Sequence, residues 1–559
     1  MKDSVSILIG GKAGQGIASI ETLLAKGFKR AGFYTFSTKE YMSRVRGGSN
    51  TTLIRVSNTA ANAPDFKVDI FVPLDTAAYA HARDRIRHDS ILIAKKSDVE
   101  CDCTLYDCDL DALAKEIGNP IVSNTIAAAL VFGLLGCDGE ILREIVTESY
   151  SDQLRDWNLQ ALTVGAKLAH KSGNCRYCIE PHPSSRAAAD FFLSGTEGIG
   201  FGAIAGGCNF ISSYPMSPST GVLTFLAKYS RRFGICVEQA EDEIAAFQMG
   251  MGAWYGGGAA MTTTSGGGFA LMGEGISLSG MSETPMVVYL AQRPGPATGL
   301  PTRTEQGDLE LALYSGHGEF PRIILAPGDP KECFDLVREA FDLADKYQVP
   351  VIVMSDQYLA DTVFSIGRFH IDGKQPFRHI VRTEADYKRY RVTKEGVSPR
   401  GIPGYGEGLV LVDSDEHTEE GLITESMHVR NEQHGKRLRK AESIRSEALA
   451  PEIDGEGNIA VVGWGSTKHI ICESVKRLRD ERVASVHFSW IHPLCASQLA
   501  PLHKAEHIIV VENNATGQFA KLLRLNGVAV HDQILKHDGL PFFVDELAEK
   551  LAALLKEIR

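Results

Sequence analysis

The chain has 559 residues, of which 44% are hydrophobic and 23% charged, and its formal net charge is −12 at pH 7. That length predicts three or four domains, each large enough for its own core, and the composition is that of an ordinary globular protein. The acidic balance argues against nucleic acid or an anionic membrane as the main partner, since both need a basic footprint, though a local basic patch would still serve an acidic carrier.

The N-terminus, MKDSVSILIGGKAGQG, has a short apolar segment running straight into a glycine loop and lacks a small-residue cleavage site. It reads as a first strand, Ser4 to Ile9, rather than a signal peptide. With no apolar run long enough to span a bilayer, the chain is expected to be cytoplasmic. A helix follows, with Ile17, Ile20, Leu23, Leu24 and Phe28 at helical spacing. Between strand and helix, GGKAGQG (Gly10 to Gly16) offers backbone N–H groups and a helix N-terminus to an anion. Gly11, Ala13 and Gly16 loosely follow a dinucleotide fingerprint, with Ala13 in place of the middle glycine and Glu40 as candidate ribose acid. A tight turn without a ligand fits the same residues equally well. RVRGGSN (Arg44 to Asn50) adds two arginines that read either as phosphate ligands or as solvated charges.

Further strands are expected at Thr51 to Val56, Val68 to Leu74 and Ile91 to Ala94, and residues 110 to 170 read as mostly helical, with Ile126 to Gly136 a buried helix. The eleven cysteines are scattered. Cys101, Cys103 and Cys108 cluster loosely and Cys175 with Cys178 forms one CxxC, but the spacing matches no iron–sulfur or zinc site, so they read as reduced thiols and no metal site is expected. HKSGNCRYCIEPHPSS (His170 to Ser185) is rich in turn formers and reads as a linker.

A second α/β unit spans about 188 to 370, with strands at Ile235 to Glu238, Ala260 to Thr263, Met286 to Ala291, Arg322 to Ala326 and Pro350 to Met354. Their alternation with amphipathic helices predicts a mainly parallel sheet. Such sheets bind ligands at the carboxyl ends of their strands, and four loops of this region are candidates. YPMSPST (Tyr214 to Thr220) clamps the Ser217 hydroxyl between Met216 and Pro218, with Thr220 as cap for the next helix. EDEIAA (Glu241 to Ala246) places acids at the start of a small-residue helix. The helix dipole accounts for two or three of them, while one turned inward against apolar packing can exchange a proton near neutrality. MTTTSGGGFALMGEG carries Gly266, Gly267 and Gly268, which let backbone approach something flat or anionic, or simply pack helix on sheet. The long loop Gln292 to Leu309 carries Arg293 and Arg303; Arg303 is a carboxylate fork or the ion-pair partner of Glu305 or Asp308.

From 371 to 453 the pattern breaks into a charged connector that wraps another domain or subunit, with GVSPRGIPGYGEG in its middle and the basic helix KRLRKAESIR near its end. Residues 456 to 559 return to short strands alternating with helices.

These motifs together resemble the 2-oxoacid:ferredoxin oxidoreductases, specifically a fused gamma-plus-alpha subunit of the 2-oxoglutarate type. GGKAGQG and RGGSN resemble the gamma domain (1–175). YPMSPST, EDEIAA, TTTSGGGFALM and GLPTRTEQGDL resemble the pyrimidine-binding, doubly wound thiamine-diphosphate domain (188–370). GVSPRGIPG with SDEHTEEG resembles the connector, and VVGWGSTKHII with VENNATGQFAKLLR a transketolase-like C-terminal domain (456–559). The resemblance implies decarboxylation of a 2-oxoacid with coenzyme A to acyl-CoA, with reduction of ferredoxin, or the reverse. It implies that Glu243 hydrogen-bonds the aminopyrimidine, that Gly266, Gly267, Gly268 and Phe269 line the cofactor, and that Tyr214, Ser217 and Arg303 hold the substrate, Arg303 by its carboxylate. Ser217 stands where the family usually has threonine, and Gly267 where it often has proline. Candidate coenzyme A residues are Gly11, Gly14, Gln15, Gly16, Arg46, Gly47 and Gly48. No Gly-Asp-Gly occurs in the chain, so the metal–diphosphate half of the cofactor site, with Mg²⁺ and [4Fe–4S] clusters, is expected on a separate beta subunit, in a heterodimer or a dimer of heterodimers. Two other readings stand beside this one: an NAD(P)-dependent dehydrogenase built on GGKAGQG, and a non-catalytic subunit that binds coenzyme A or a partner.

Overall fold

The computed structural model describes residues 3–42, 47–171, 184–369 and 376–558. The chain divides into two compact units: Met1–Leu193 with Asp361–Phe369 and Phe542–Arg559, and Ser194–Ala360 with His370–Pro541.

In the first unit an eight-stranded mixed sheet runs in the order Thr104–Asp107, Ile86–Ala94, Val68–Pro73, Ser4–Ala13, Gly47–Ser57, Tyr34–Glu40, Val363–Ile366, Phe191–Ser194. Ser4–Ala13 pairs parallel with Val68–Pro73 and antiparallel with Gly47–Ser57. It is longer than the expected strand, so half of GGKAGQG is sheet and only Gly14–Gly16 turns into the helix Ile17–Arg30. That helix buries Ile20, Leu24 and Phe28, and Phe28 meets Phe132 at 5.1 Å between ring centroids. Phe132 belongs to Ser123–Leu134, a helix buried on almost every side, as its unbroken apolar run predicts. The chain returns to this unit twice. Val363–Ile366 pairs antiparallel with Tyr34–Glu40. The last helix, Val544–Leu555, joins through Asp545, whose carboxylate accepts from Phe66 N at 2.8 Å and Lys67 N at 3.0 Å.

In the second unit a seven-stranded sheet runs in the order Trp490–His492, Ile323–Leu325, Pro350–Asp356, Met286–Gln292, Ala260–Thr264, Phe210–Ser213, Cys236–Gln239. Every neighbouring pair is parallel except the one made by Trp490–His492. Met286–Gln292 and Pro350–Asp356 are buried along their whole length, as strands covered by helices on both faces must be. The chain runs from Phe210–Ser213 outward to Cys236–Gln239, then crosses back to Ala260–Thr264 on the other side. The order therefore reverses between Phe210–Ser213 and Ala260–Thr264, and the crevice at their carboxyl ends is the doubly wound fold's ligand position. A five-stranded sheet, in the order Glu452–Asp454, Val483–Phe488, Ile459–Trp464, His507–Glu512, Asp532–Leu535, is parallel except for its first strand.

The connector wraps this second unit. Its irregular part contributes isolated bridges, and it ends in a helix, Met427–Arg445, longer than the basic stretch that announced it. The helix is locked by charge. Lys436 Nζ and Lys440 Nζ lie 2.7 and 2.5 Å from the two carboxylate oxygens of Glu283, and all three side chains are almost fully buried. Glu283 itself closes the helix Gly273–Ser282. Burial alone would raise its carboxyl; Lys440, Lys436 and Arg389 overcome that and hold it well below the usual carboxylate range. Burial in turn brings the Lys440 ammonium down to about 8, against the pull of Glu283. A second lock is Asp345, paired with Arg400 and, at 2.8 Å, with Arg378 Nε.

Removing one partner of a buried pair leaves an uncompensated charge. Glu283→Gln is expected to destabilise the protein by about 3–5 kcal/mol in chemical denaturation. Because the folded Glu283 pKa is depressed, the stabilisation it gives is present above its unfolded value and is lost as the pH falls below it. The gap between wild type and variant should therefore narrow in acid; an equal gap at neutral and acid pH would count against the lock.

Candidate active site

Glu243 opens the helix Glu243–Tyr255, with Asp242 as N-cap accepting from Ala245 N at 2.7 Å. The carboxylate is 3% exposed, and its Oε1 atom has no hydrogen-bond partner among the described residues. The helix N-terminus favours its negative charge, but nothing in the chain satisfies that oxygen. The far end of the helix is fixed by the connector: Arg400 Nη1 donates to Trp254 O at 3.1 Å, Arg378 Nη2 to Gly258 O at 3.0 Å, and Tyr255 Oη to Val410 O at 2.9 Å.

The three glycines after Ala260–Thr264 do different things. A Cβ on Gly268 would stand 2.3 Å from both Glu243 Oε1 and Thr264 Oγ1, and one on Gly266 would stand 2.5 Å from both Asp308 carboxylate oxygens. On Gly267 it would meet only Ala297 O, at 3.9 Å. Gly268 thus makes room for the buried acid, Gly266 for Asp308, and Gly267 faces open space. Phe269 is fully buried, a core residue under this turn.

Arg293 reaches back to the YPMSPST loop, donating from Nη1 to Ser217 O at 2.7 Å. Ser217 and Tyr214 are exposed at the end of Phe210–Ser213. The helix after them begins at Thr220, with Ser219 in the cap position, so Thr220 does not cap it as expected. Asp308 lies at the other end of the arginine loop. Burial and the Glu305 carboxylate push its carboxyl up to about 6, against the pull of Arg293.

The loop from Gln292 to Leu309 is pinned at several points. Gln292 Oε1 accepts from Asp308 N at 3.0 Å. Gln306 Nε2 donates to Trp464 O at 2.9 Å, Gln306 Oε1 accepts from Asn513 N at 3.0 Å, and Gln518 Nε2 donates to Gly307 O at 2.8 Å. The VENNATGQF and GWGS motifs therefore hold the arginine loop in place. Arg303 sits farther along it, beside Gly539.

In the first unit, the register Gly11↔Asn50 and Ala13↔Gly47 brings the GGKAGQG and RGGSN motifs side by side. Gly11 faces Gln15, whose Oε1 accepts from Lys12 N at 2.5 Å; Gly16 faces Asn124; Gly48 faces Met42; Gly14 faces open space. Arg44, Arg46, Cys175 and Cys178 lie outside the described residues. Tyr34–Glu40 is separated from Ser4–Ala13 by an antiparallel strand, whereas a dinucleotide site needs those two strands adjacent and parallel. Glu40 is paired with His81 Nε2 at 3.0 Å.

The description "pyruvate flavodoxin/ferredoxin oxidoreductase, thiamine diP-bdg" matches residues 201–436, and "pyruvate ferredoxin/flavodoxin oxidoreductase" matches 6–168. The 2-oxoglutarate synthase subunit KorA of Methanothermobacter marburgensis is 30% identical over 65% of this chain and 99% of its own. The chain belongs to the 2-oxoacid:ferredoxin oxidoreductase family. The 2-oxoacid:ferredoxin oxidoreductase subunit alpha of a Sulfolobus species is 29% identical, over 99% of this chain and 97% of its own length. A solved 2-oxoglutarate:ferredoxin oxidoreductase from Magnetococcus marinus, with 2-oxoglutarate, coenzyme A and succinyl-CoA bound, is 29% identical with a TM-score of 0.93, covering 99% of this chain and 100% of that one. This protein is a subunit of such an oxidoreductase, and the dehydrogenase and purely binding readings of the sequence give way to it. Among the described residues no helix is long and apolar enough to cross a membrane.

The residues present fit a thiamine cofactor. A buried carboxylate oxygen without a partner, below a glycine turn that a single Cβ would fill, is what a ring nitrogen requires of its cradle. Sequence reasoning missed the Arg293–Ser217 contact and passed over Asp308 as an ion-pair partner; an aspartate at a helix start reads as a cap, and only the fold shows that its side chain caps nothing.

Gly268→Ala is expected to lower turnover of the assembled enzyme by about 10²-fold or more, because it displaces Glu243, while Gly267→Ala should leave turnover close to wild type. Equal effects at the two positions would remove the steric argument.

Proposed function

We propose that this subunit builds the aminopyrimidine half of a thiamine diphosphate site and that a second polypeptide supplies the diphosphate, Mg²⁺ and [4Fe–4S] half, as a heterodimer or a dimer of heterodimers. The observation that carries this is the partnerless Glu243 Oε1 at the switch-point crevice. The lack of a Gly-Asp-Gly stretch in the chain supports the division of labour. The reaction is oxidative decarboxylation of a 2-oxoacid with coenzyme A to acyl-CoA and carbon dioxide, the electron pair passing to ferredoxin, or the reverse. The KorA relatives and the ligands of the Magnetococcus marinus structure support 2-oxoglutarate as the oxoacid.

When bound, thiamine diphosphate supplies the carbon nucleophile and the electron sink that decarboxylation requires. Glu243 Oε1 would hydrogen-bond a ring nitrogen and exchange a proton with it, and Gly268, having no side chain, leaves that carboxylate its place. Arg293, which donates to Ser217 O in the YPMSPST loop, receives the oxoacid carboxylate ahead of Arg303; that contact supports Arg293 in the role. Tyr214 and Ser217 border the open side. The glycine motifs of the first unit, Gly11, Gly14, Gln15 and Gly16 with Gly47 and Gly48, are the proposed contact for coenzyme A, and their side-by-side register supports it.

In the reconstituted complex, Glu243→Gln should lower kcat by about 10²–10⁴-fold, the reach of one proton-transfer group. Arg293→Ala should raise KM for the oxoacid far more than KM for coenzyme A, and more than Arg303→Ala does. The purified chain alone, given thiamine diphosphate and Mg²⁺, should not turn over; activity without a partner would overturn the reading.

A further inference from the structure

Asp308 occupies the cap position of the helix Leu309–Tyr314, where an aspartate usually accepts from that helix's own N–H groups. It makes no such bond. Its backbone N–H is taken by Gln292 Oε1 at 3.0 Å, its carboxylate is pressed against Gly266, and Oδ2 is buried without a partner among the described residues. A buried carboxylate without donors is costly when ionised. The charged groups acting on it are Glu305, which repels its ionised form, and Arg293, which favours it; Glu305 in turn faces His537. Gly266 and Gln292, which also touch it, carry no charge.

We propose that Asp308 is a positioning residue whose proton controls how strongly Arg293 is available to the oxoacid carboxylate. Ionised, Asp308 draws the Arg293 guanidinium toward itself and adds a negative charge beside an incoming anion. Protonated, it releases Arg293 and can donate a hydrogen bond from Oδ2 into the crevice. The inference rests on the assignment of Arg293 as carboxylate partner. It goes beyond that assignment in giving the site a second proton-holding acid, apart from Glu243, that acts on substrate capture rather than on the chemical step. Oxoacid carboxylates stay ionised across the working pH range, so only the protein's side of the contact titrates. Burial and Glu305 place that titration near pH 6.

The test is the pH profile of the whole enzyme, reconstituted with its partner and thiamine diphosphate and assayed with 2-oxoglutarate and a viologen dye. In the wild type, KM for the oxoacid should rise about threefold to tenfold between pH 5.5 and 7.5, the effect of one nearby charge in a partly screened site. KM for coenzyme A should show no matching rise. Asp308→Asn should flatten the oxoacid profile at its low-pH value with kcat little changed. Asp308→Asn with the wild-type rise intact would overturn the proposal, as would a kcat loss with no change in the KM profile, which marks a structural role. Should the Asn variant fail to assemble, Glu305→Gln serves: removing its charge should move the midpoint of the wild-type rise to lower pH, and an unmoved midpoint would count against Asp308 as the titrating group. Arg293→Ala separates the two levels of the argument. If it leaves oxoacid KM unchanged, the assignment of Arg293 fails and the role of Asp308 goes with it. If it raises that KM while Asp308→Asn keeps the pH rise, only the role of Asp308 fails.

Discussion

The arrangement turns on a buried carboxylate oxygen that this chain leaves unsatisfied. Glu243 Oε1 lies out of solvent at the start of a helix, under a glycine with no room for a side chain. Burying such a group without a partner works against folding, and a fold keeps it only where the surroundings leave no other position. Here the surroundings do so from both ends. Asp242 caps the first turn of the helix, and Arg378 and Arg400 grip the carbonyls where it ends. The connector, which looks like a passive wrapping in the sequence, is therefore part of what sets the position of the acid.

The same logic governs the arginine loop. A segment of this length with three prolines and several glycines loses much conformational entropy when it is held in one shape. The gains that offset this come from hydrogen bonds to a different part of the chain, at Trp464, Asn513 and Gln518. That explains how motifs far downstream in the chain take part in building the same site. It also explains how Arg293 and Asp308 can sit at opposite ends of one loop and still be arranged around one crevice.

Much of this was legible in the sequence, for identifiable reasons. The central strands Met286–Gln292 and Pro350–Asp356 are short runs buried on both faces, so apolar continuity found them almost to their ends. The crevice followed from loops placed at strand ends, and an inward-turned acid from the acidic run ahead of a small-residue helix, with Glu243 itself singled out only by the family resemblance. What stayed hidden depends on contacts distant in sequence. Nothing local marks Lys436 and Lys440 as buried; a basic helix reads as solvated until Glu283, some 150 residues earlier, is found between them. The last helix looks like the natural end of the C-terminal domain, and only Asp545 meeting the amides of Phe66 and Lys67 assigns it to the first unit. GGKAGQG misled by its glycines: a strand that continues through Gly10 and Gly11 leaves a much shorter turn than the motif suggests.

The two kinds of buried charge in the second unit are opposites, and the contrast bears on function. Glu283, Asp345 and Glu416 are each surrounded by cations from the connector, so their charges are satisfied within the chain. Glu243 and Asp308 carry oxygens that are not, and Ser265, between them in the glycine turn, has a buried hydroxyl in the same condition. These three atoms all lie around the carboxyl end of the strand Ala260–Thr264, where the order of the sheet reverses. A chain that pairs Glu283, Asp345 and Glu416 with two cations apiece, and surrounds the buried Glu512 with hydrogen-bond donors, has the means to satisfy these two. That it does not argues that the missing partners arrive from outside, and that the connector's ion pairs provide the stability against which an incomplete site can be held open.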